Sequence, residues 1–372
     1  MLSRSSFIRL GLLALLSGIA TTMCDRLNAE NPAESTLKAS RLKTLSKGYN
    51  LEHFQKHKLT TEAYTEALLQ QYKAVGLTYT RLPIVLSAFL DHKNPNVLKT
   101  GSLAALDAII QMHIKTGLGI ILCPFEHSPE LYSDPAVLDK YVAFFKAFAT
   151  HLSNTDPEKV FLQVINEPIA ETSQAWDNVQ RKLIPAIRSG APNHTIIASS
   201  NLKVSANDWS NVRALPIIDI VEDNNVVYDF HFYEPFVFTH QGATWGWKPW
   251  QFMNDIPYPS TPEAVAPLLN AIQEAEARSA VENYGKENWN RPKVAAILAP
   301  IADWAKANEV SVICTEFGAI PWTAPKDSRL LYLRDVREVL ESCEIGWGLW
   351  FSLDVHDREV MQALGITYLP HT

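Results

Sequence analysis

The sequence predicts an α/β protein with a (β/α)8 architecture, the TIM barrel, and three observations support this fold class. Eight short, mostly apolar segments alternate with amphipathic helical patterns, as expected for strands that are covered on both faces. The alternation continues without a break in composition, which favours one closed barrel over a doubly wound sheet. The 372 residues are 47% apolar and 20% charged, which suits one large core and excludes a disordered or collagen-like chain.

The N-terminus has the pattern of an export signal. Arg4 and Arg9 precede an apolar run over residues 10–20, and this run is too short to span a bilayer. Residues 1–23 are therefore predicted to be a signal peptide, and the mature protein is expected to be secreted, either outside the cell or into a periplasm. The alternative is a lipid anchor at Cys24, although residues 21–23 lack the small side chains that such a site needs.

After a predicted lead-in over residues 24–44, a single domain is expected over residues 45–372. Its strands are predicted over residues 48–51, 79–84, 119–124, 160–165, 195–199, 226–232, 310–314 and 346–351. Cys123 and Cys314 lie inside two of these apolar runs, so they are predicted to be buried thiols and not parts of a disulfide framework.

The helices between the first strands have recognisable ends. Apolar residues over 103–114 repeat at helical spacing and are followed by Gly117, a natural C-terminal cap. Asp134 offers a capping side chain directly before Pro135, which suits the first turn of a helix. A helix over residues 136–152 is therefore expected.

The connection after the sixth strand is unusually long, from residue 234 to about residue 291. Long connections without a strand of their own are usually functional or carry an extra helix. A capped start at residues 261–262 predicts a helix over residues 262–279 with a kink at Pro267. The remaining loop either binds a flat ligand or packs on itself through its tryptophans, Trp245, Trp247 and Trp250.

Charge and motif content exclude several classes of function. The net charge of −7 gives no attraction to nucleic acid or to anionic lipid. The chain has no Gly-rich nucleotide motif and no G-x-S-x-G elbow. His53 and His57 have helical zinc-ligand spacing but lack the H-E-x-x-H pattern, so they are predicted to be surface histidines. A neutral small molecule or an uncharged polymer remains as the ligand.

Two glutamates are predicted to face each other at one end of the barrel. Glu167 follows the fourth strand and Glu316 follows the seventh, and a carboxylate next to such apolar runs is costly unless it is exposed, paired or used. Reacting groups of these barrels lie at the C-terminal ends of the strands. Glycosidic cleavage requires two opposed carboxyl groups, one protonated and one ionised. Salt bridges at the barrel rim are the alternative interpretation.

Several segments, in this order along the chain, resemble family 5 of the glycoside hydrolases, the cellulase-type (β/α)8 enzymes. They are Asn166-Glu167-Pro168, His231-Phe232-Tyr233, Thr315-Glu316-Phe317-Gly318 and Trp347-Gly348-Leu349-Trp350. The resemblance covers roughly residues 45–365. Further matches are Gly48-Tyr49-Asn50-Leu51-Glu52 on the first strand, Arg81 on the second and His127 after the third.

The resemblance implies a role for each residue around the proposed reaction centre. Glu167 corresponds to the acid/base, which needs a raised pKa, and Glu316 corresponds to the nucleophile, which must stay ionised. Arg81 is the candidate cation that would lower the pKa of Glu316, and Tyr233 would donate its hydroxyl to the same carboxylate. His231 would relay protons near Glu167.

Three more residues are assigned to the substrate by the resemblance. Asn166 would bond to the sugar 2-hydroxyl, which requires a bend or bulge because neighbouring residues of an ideal strand point to opposite faces. His127 is given a role beside the substrate, and Trp350 is expected to form a stacking floor for a sugar ring. A purely structural role is the alternative for His127 and Trp350, and also for Arg81 and His231.

The resemblance therefore implies a secreted retaining hydrolase of β-linked glucan, namely an endo-β-1,4-glucanase. A monomer is expected, with no metal or organic cofactor, no nucleic-acid partner and no stable membrane association. The alternatives are a β-mannanase, a β-1,3-glucanase or an exopolysaccharide hydrolase with the same two glutamates. A metal-dependent hydrolase and a non-catalytic carbohydrate-binding barrel are also considered. The chain shows no carbohydrate-binding module, so crystalline cellulose is not the expected target.

Overall fold

Eight parallel strands close into a barrel in the computed structural model, which describes residues 37–51, 58–125 and 128–370. The strands are β1 (Lys47–Asn50), β2 (Tyr79–Ile84), β3 (Gly119–Pro124), β4 (Val160–Gln163), β5 (Ile196–Ser199), β6 (Val226–Phe232), β7 (Ser311–Phe317) and β8 (Gly346–Leu349). Each strand pairs in parallel with its neighbours along the chain, and β1 pairs with β8. The predicted (β/α)8 fold is confirmed.

Helices pack around the barrel and connect its strands. They are α1 (Ala39–Thr44), α2 (Glu66–Ala74), α3 (Leu103–Thr116), α4 (Pro135–Leu152), α5 (Ser173–Gly190), α6 (Asn211–Ala214), α7 (Phe236–Thr239), α8 (Pro262–Leu269), α9 (Ala275–Lys286), α10 (Arg291–Ala307), α11 (Lys326–Ser342) and α12 (Arg358–Ala363). Short 3₁₀ turns lie at Leu86–Ala88, Thr100–Ser102, Pro129–Tyr132, Leu215–Ile217 and Lys248–Phe252. An antiparallel hairpin of Lys203–Ser205 and Asp208–Trp209 follows β5.

The predicted ends of α3 and α4 are confirmed. Helix α3 is followed by Gly117 at φ 76°, a left-handed conformation that glycine adopts without strain. At the start of α4, the Asp134 side chain accepts a hydrogen bond from the backbone N–H of Ala136. These local signals need no tertiary contacts, which explains why the sequence is sufficient to predict them.

The single helix predicted over residues 262–279 is wrong, because the structure has two helices, α8 and α9. Helix α8 ends shortly after Pro267, which has no N–H to continue the ladder of hydrogen bonds. Glu274 then starts α9, because its side chain accepts a hydrogen bond from the N–H of Ala277.

Strand β7 extends beyond the predicted end at residue 314 and includes Glu316. Phe230 pairs with Cys314 and His231 pairs with Glu316, so Thr315 has no opposite residue. An extra residue of this kind is a β-bulge, which bends the strand and re-aims the side chains beside it. Glu316 is therefore positioned by the sheet itself and does not belong to a loop.

Apolar side chains fill the end of the barrel nearest to α1. This cluster consists of Leu37, Leu45, Tyr79, Ile121, Phe161, Ile197, Val227 and Ile313. Because this end is packed with apolar side chains, a polar site inside the barrel is expected at the opposite end, where the strands terminate. Cys123 and Cys314 are buried free thiols, as predicted, and Cys343 is partly buried.

Several predictions concern residues that the structure does not describe. The signal peptide over residues 1–23, the alternative anchor at Cys24, the pair His53 and His57, and His127 all lie outside the described residues. Within the described part, no helix has the length and apolar character needed to cross a membrane.

Candidate active site

Polar side chains from five strands or the turns after them gather at the open end of the barrel. They are Asn50, Arg81, Asn166, Glu167, His231, Tyr233 and Glu316. The Glu167 side chain is 32% exposed, whereas that of Glu316 is only 5% exposed. The opening thus has one accessible carboxyl group and one buried carboxyl group.

The backbone turns sharply between β4 and Glu167. Asn166 donates its N–H to the carbonyl of Pro124 at 2.7 Å, and Glu167 has a φ of 41°. A non-glycine residue in this left-handed region is strained, and such strain is often found at functional sites. As a result, Asn166 and Glu167 both reach the opening, with Asn166 Nδ2 3.5 Å from Glu167 Oε2.

Glu316 is held by two donors at the base of the opening. Arg81 Nη1 donates to Oε1 at 2.5 Å, and the Tyr233 hydroxyl donates to Oε2 at 2.8 Å. Arg81 is completely buried, with further hydrogen bonds to Asn50, Gln163 and Asn166. A buried guanidinium fixed in this way orients the carboxylate and balances its charge.

Glu167, His231 and Glu316 converge on one point. His231 Nδ1 lies 2.9 Å from Glu167 Oε1 and 3.5 Å from Glu316 Oε2. One nitrogen or oxygen atom from each of the three residues lies within 4.8 Å of the other two. Retaining glycosidases separate their two carboxyl groups by about 5–5.5 Å and inverting ones by about 6.5–9.5 Å. The nearest oxygens of the two glutamates are thus much closer than the inverting separation and slightly closer than the retaining one.

The pKa values of the two glutamates differ from those predicted. Burial raises the pKa of Glu316 and outweighs the opposing charges of His231 and Arg81. Burial also acts on Glu167, but the hydrogen bond and charge of His231 outweigh it, so the pKa of Glu167 is lowered. Arg81 acts to lower the pKa of Glu316, as predicted, but burial has the larger effect, and the raised pKa predicted for Glu167 is not found in the free site.

His231 explains this reversal. Burial acts to lower the pKa of His231, but Glu316, Glu167 and Asp229 all face the imidazole and together raise it. The three carboxylates therefore favour the protonated imidazole, whose Nδ1 lies in hydrogen-bond contact with Glu167. Residue types alone do not reveal this arrangement, because it depends on three carboxylates reaching one ring.

The same three residues also offer ligand atoms to a cation. Positive charge is already supplied from within the protein, because the Arg81 guanidinium lies 2.5 Å from Glu316 and the carboxylates favour a charged His231. A metal ion bound here would have to displace a proton and compete with a buried guanidinium. The arrangement is better suited to proton transfer than to metal binding.

Trp350 lies just beyond β8 and stacks on Phe125. The two ring centroids are 5.8 Å apart, with planes at 16°, so Phe125 covers one face of the indole. Trp322, in the connection after β7, is 63% exposed and meets Phe351 edge-on. Aromatic faces at a barrel mouth are suited to packing against the C–H faces of sugars.

The three loop tryptophans have different environments. Trp245 is 50% exposed and Trp247 is 37% exposed, so both have surface to offer a ligand. Trp250 instead packs between Phe236 and His240, with centroid distances of 5.8 and 4.7 Å. Trp250 therefore stabilises the loop, while the other two are candidates for ligand contact.

His240 belongs to the site although no pattern in the sequence selects it. Its ring contacts Tyr233 edge-on at 5.1 Å, and its Nδ1 lies 2.9 Å from Thr239 Oγ1. Burial lowers the pKa of His240 to about 4, so the imidazole is neutral near pH 7. A loop residue of this kind has no periodic pattern that would reveal its position.

A parallel eight-stranded barrel with two close carboxyl groups at its open end has the architecture of the (β/α)8 glycoside hydrolases. The cellulase family model, glycosyl hydrolase family 5, matches residues 40–354. The chain therefore belongs to glycosyl hydrolase family 5, whose members hydrolyse O-glycosyl bonds. The predicted family and enzyme class are confirmed.

Individual relatives are distant. Endoglucanase 3 of Fibrobacter succinogenes is 25% identical over 347 residues, which cover 87% of this chain and 51% of that protein. Endoglucanase C of Acetivibrio thermocellus is 24% identical over 296 residues, which cover 77% of this chain and 83% of that protein. The chain thus spans about half the length of the first relative and most of the second.

Solved structures support the same fold. Endoglucanase Cel5A from Thermotoga maritima has a TM-score of 0.69 at 21% identity, over 87% of this chain and 98% of that one. That neighbour has been crystallised with cellobiose and with mannotriose. At this level of identity the likeness establishes the barrel and does not identify the sugar.

Proposed function

We propose that the protein is an endo-β-1,4-glucanase that cleaves β-linked glucan with retention of anomeric configuration. The observation that carries this proposal is the pair of carboxyl groups within 4.8 Å of each other, one buried and ion-paired, the other open to the cleft. Family membership supports the reaction class, and the names of the two relatives support glucan as the substrate.

In the first step, Glu316 attacks the anomeric carbon of the bound sugar. Its orientation is fixed by Arg81 on Oε1 and by Tyr233 on Oε2, so little reorganisation is needed during attack. A bond forms between C1 and the Glu316 carboxylate while the glycosidic C1–O bond breaks. Glu167 gives its proton to the departing oxygen.

His231 supplies the proton that Glu167 needs. The imidazolium Nδ1 lies 2.9 Å from Glu167 Oε1, so the proton passes along this hydrogen bond as negative charge develops on the leaving oxygen. In the second step, Glu167 removes a proton from water, the water oxygen attacks C1, and the C1–Glu316 bond breaks. The surplus proton returns to His231, and the site is restored.

Asn166 is oriented to bind the sugar 2-hydroxyl. Its Oδ1 accepts a hydrogen bond from Arg81 Nη2 at 2.7 Å, which fixes the amide and directs Nδ2 towards Glu167 and the cleft. Hydrogen bonds to the 2-hydroxyl become stronger in the transition state. Trp350 would support the ring of the same sugar, and His127 keeps its proposed role beside the substrate.

The cellular setting is part of the proposal. Secretion rests on the N-terminal pattern of Arg4 and Arg9 followed by a short apolar run. The domain over residues 45–372 would act as a monomer on a soluble glucan chain, without a metal or organic cofactor. The exposed side chains of Trp245, Trp247 and Trp322 support binding of an extended chain and therefore cleavage within it.

The test is hydrolysis of a panel of soluble β-1,4-glucans, β-1,3-glucans and mannans by the wild type, Glu316→Gln and Glu316→Ala. Glu276→Gln on the exposed face of α9 serves as the matched control. We expect the wild type and the control to cleave β-1,4-glucan and Glu316→Gln to bind it without turnover. Azide should partly rescue Glu316→Ala and give an inverted glycosyl azide.

Each alternative predicts a different result in this panel. A preference for mannan or β-1,3-glucan would keep the mechanism and change the substrate. Binding without turnover by the wild type would indicate a carbohydrate-binding barrel. Loss of turnover under strong chelation would indicate a metal-dependent hydrolase. Normal rates in Glu316→Ala would contradict the proposed nucleophile.

A further inference from the structure

Beneath the two glutamates, five buried residues close a ring of hydrogen bonds across the barrel. Arg81 Nε donates to Gln163 Oε1 at 2.8 Å, and Gln163 Nε2 donates to Asp229 Oδ2 at 2.7 Å. Thr315 donates to Asp229 Oδ1 twice, from its N–H at 3.0 Å and from its hydroxyl at 2.6 Å. Asn50 Nδ2 donates to the Thr315 carbonyl at 2.8 Å, and Arg81 Nη1 donates to Asn50 Oδ1 at 3.0 Å.

This ring is isolated from solvent. Its members come from β1, β2, β4, β6 and β7, and none is more than 2% exposed. Buried polar groups without a partner are costly, so each donor and acceptor in the ring depends on its neighbours. A fully satisfied network in a low-dielectric interior makes the side chains within it rigid.

The ring of hydrogen bonds includes Thr315, the residue directly before Glu316. Thr315 is the extra residue of the bulge in β7, and its N–H, hydroxyl and carbonyl are all bonded within the ring. A bulge decides where the following side chain points. The direction of Glu316 therefore depends on Asp229 on one side and Asn50 on the other.

Asp229 also faces the charged groups of the site. Its Oδ2 lies 3.6 Å from His231 Nε2, whereas the other ring nitrogen, Nδ1, contacts Glu167. Arg81 and His231 are the cations near Asp229, and the Tyr79 hydroxyl and Cys314 thiol are the other titratable groups beside it. His231 is faced by Asp229, Glu167 and Glu316.

We propose that Asp229 is a positioning residue of the hydrolytic reaction. It fixes the bulge at Thr315, which aims Glu316 at the anomeric carbon, and it stabilises the protonated form of His231 from the side opposite Glu167. This inference rests on the function proposed above and adds to it a residue that does not touch the substrate.

The test compares Asp229→Asn, Thr315→Val and Thr315→Ser, with Asp335→Asn as the matched control. Asp335, on α11, is a buried carboxylate that accepts a hydrogen bond from the Tyr258 hydroxyl. The measurements are kcat, KM and the pH profile on a soluble β-1,4-glucan oligosaccharide. Thermal melting and circular dichroism confirm that each variant is folded.

Asp229→Asn is expected to lower kcat by about a hundredfold with little change in KM, because a small misplacement of a reacting group has that effect. The alkaline limb of its profile should move to lower pH, since the negative charge of Asp229 raises the pKa of His231. Thr315→Val, which loses only the hydroxyl bond, should lower kcat by about tenfold with the alkaline limb unmoved. Thr315→Ser should stay close to the wild type.

Wild-type kcat and an unmoved alkaline limb in folded Asp229→Asn would overturn this inference and leave the proposed function intact. Equal losses in Thr315→Ser and Thr315→Val would also overturn it, and this pair decides the matter if Asp229→Asn does not fold. Absence of turnover in the wild type would overturn the proposed function itself, and this inference with it.

Discussion

Replacement of Tyr233 by phenylalanine isolates one hydrogen bond to the proposed nucleophile. The Tyr233 hydroxyl donates to Glu316 Oε2 at 2.8 Å, and its ring is held by edge-on contacts with His240 and Phe351 that phenylalanine would keep. A hydrogen bond to a charged group contributes about 1.5–3 kcal/mol. Since about 1.4 kcal/mol corresponds to tenfold in rate, we expect kcat/KM to fall by about 10- to 100-fold.

The same replacement has a defined effect on the pH profile. The Tyr233 hydrogen bond lowers the pKa of Glu316 against the larger, raising effect of burial. Without this bond the pKa of Glu316 rises further, so the ionised nucleophile forms only at higher pH. The acid limb of kcat/KM should therefore move to higher pH.

The assay is kcat/KM for an aryl β-cellobioside, measured across the pH range in which the protein stays folded. Tyr258→Phe is the matched control, because Tyr258 also donates its hydroxyl to a buried carboxylate, that of Asp335 at 3.1 Å, away from the cleft. The control should keep the wild-type profile. An acid limb that stays in place or moves to lower pH in Tyr233→Phe would show that the Tyr233 hydroxyl does not lower the pKa of Glu316.

Three further predictions concern the acid, the stability and the loop. Glu167→Ala should slow substrates with poor leaving groups far more than activated aryl glycosides, because only the former need a proton; equal slowing would contradict the acid role. Burial lowers the pKa of His113 from 6.5 to about 4, so the stability that depends on its neutral form is complete above pH 6.5 and is lost as the pH falls towards 4. Between pH 6.5 and pH 4, the free energy of unfolding in urea should fall by up to about 3 kcal/mol more in the wild type than in His113→Gln. The same pH dependence in both proteins would contradict this prediction. Trp247→Ala should raise KM for long glucan oligosaccharides but not for aryl cellobiosides, and equal KM values for both would exclude a platform at this 37% exposed indole.

The barrel is predictable from the sequence because its signals are local. Apolar runs of strand length and caps such as Gly117 and Asp134 specify their elements without reference to distant residues. The single helix predicted over residues 262–279 is wrong for another local reason. Pro267 lies near the C-terminal end of α8, and Glu274 a few residues later caps the start of a second helix. Two competing local signals cannot be ranked by pattern alone.

The candidate site is less predictable because its geometry depends on contacts between strands. Glu167 and Glu316 could be selected from the apolar strands beside them. The left-handed backbone of Glu167 instead follows a hydrogen bond from Asn166 to Pro124, and the bulge at Thr315 is bonded to Asp229, so both depend on residues far away in the sequence. The raised pKa of His231 depends on three carboxylates around its ring, and the spacing of residues along the sequence does not predict that they meet there.

The most direct test of the central claim is to trap the glycosyl-enzyme and identify the residue that carries it. A 2-deoxy-2-fluoro-β-cellobioside with an activated leaving group lets the first step proceed while the fluorine slows the second, and peptide mass spectrometry then locates the label. We expect one ester-linked label on Glu316 that is absent from Glu316→Gln. A label on Glu167, or hydrolysis with inversion and no covalent adduct, would contradict it.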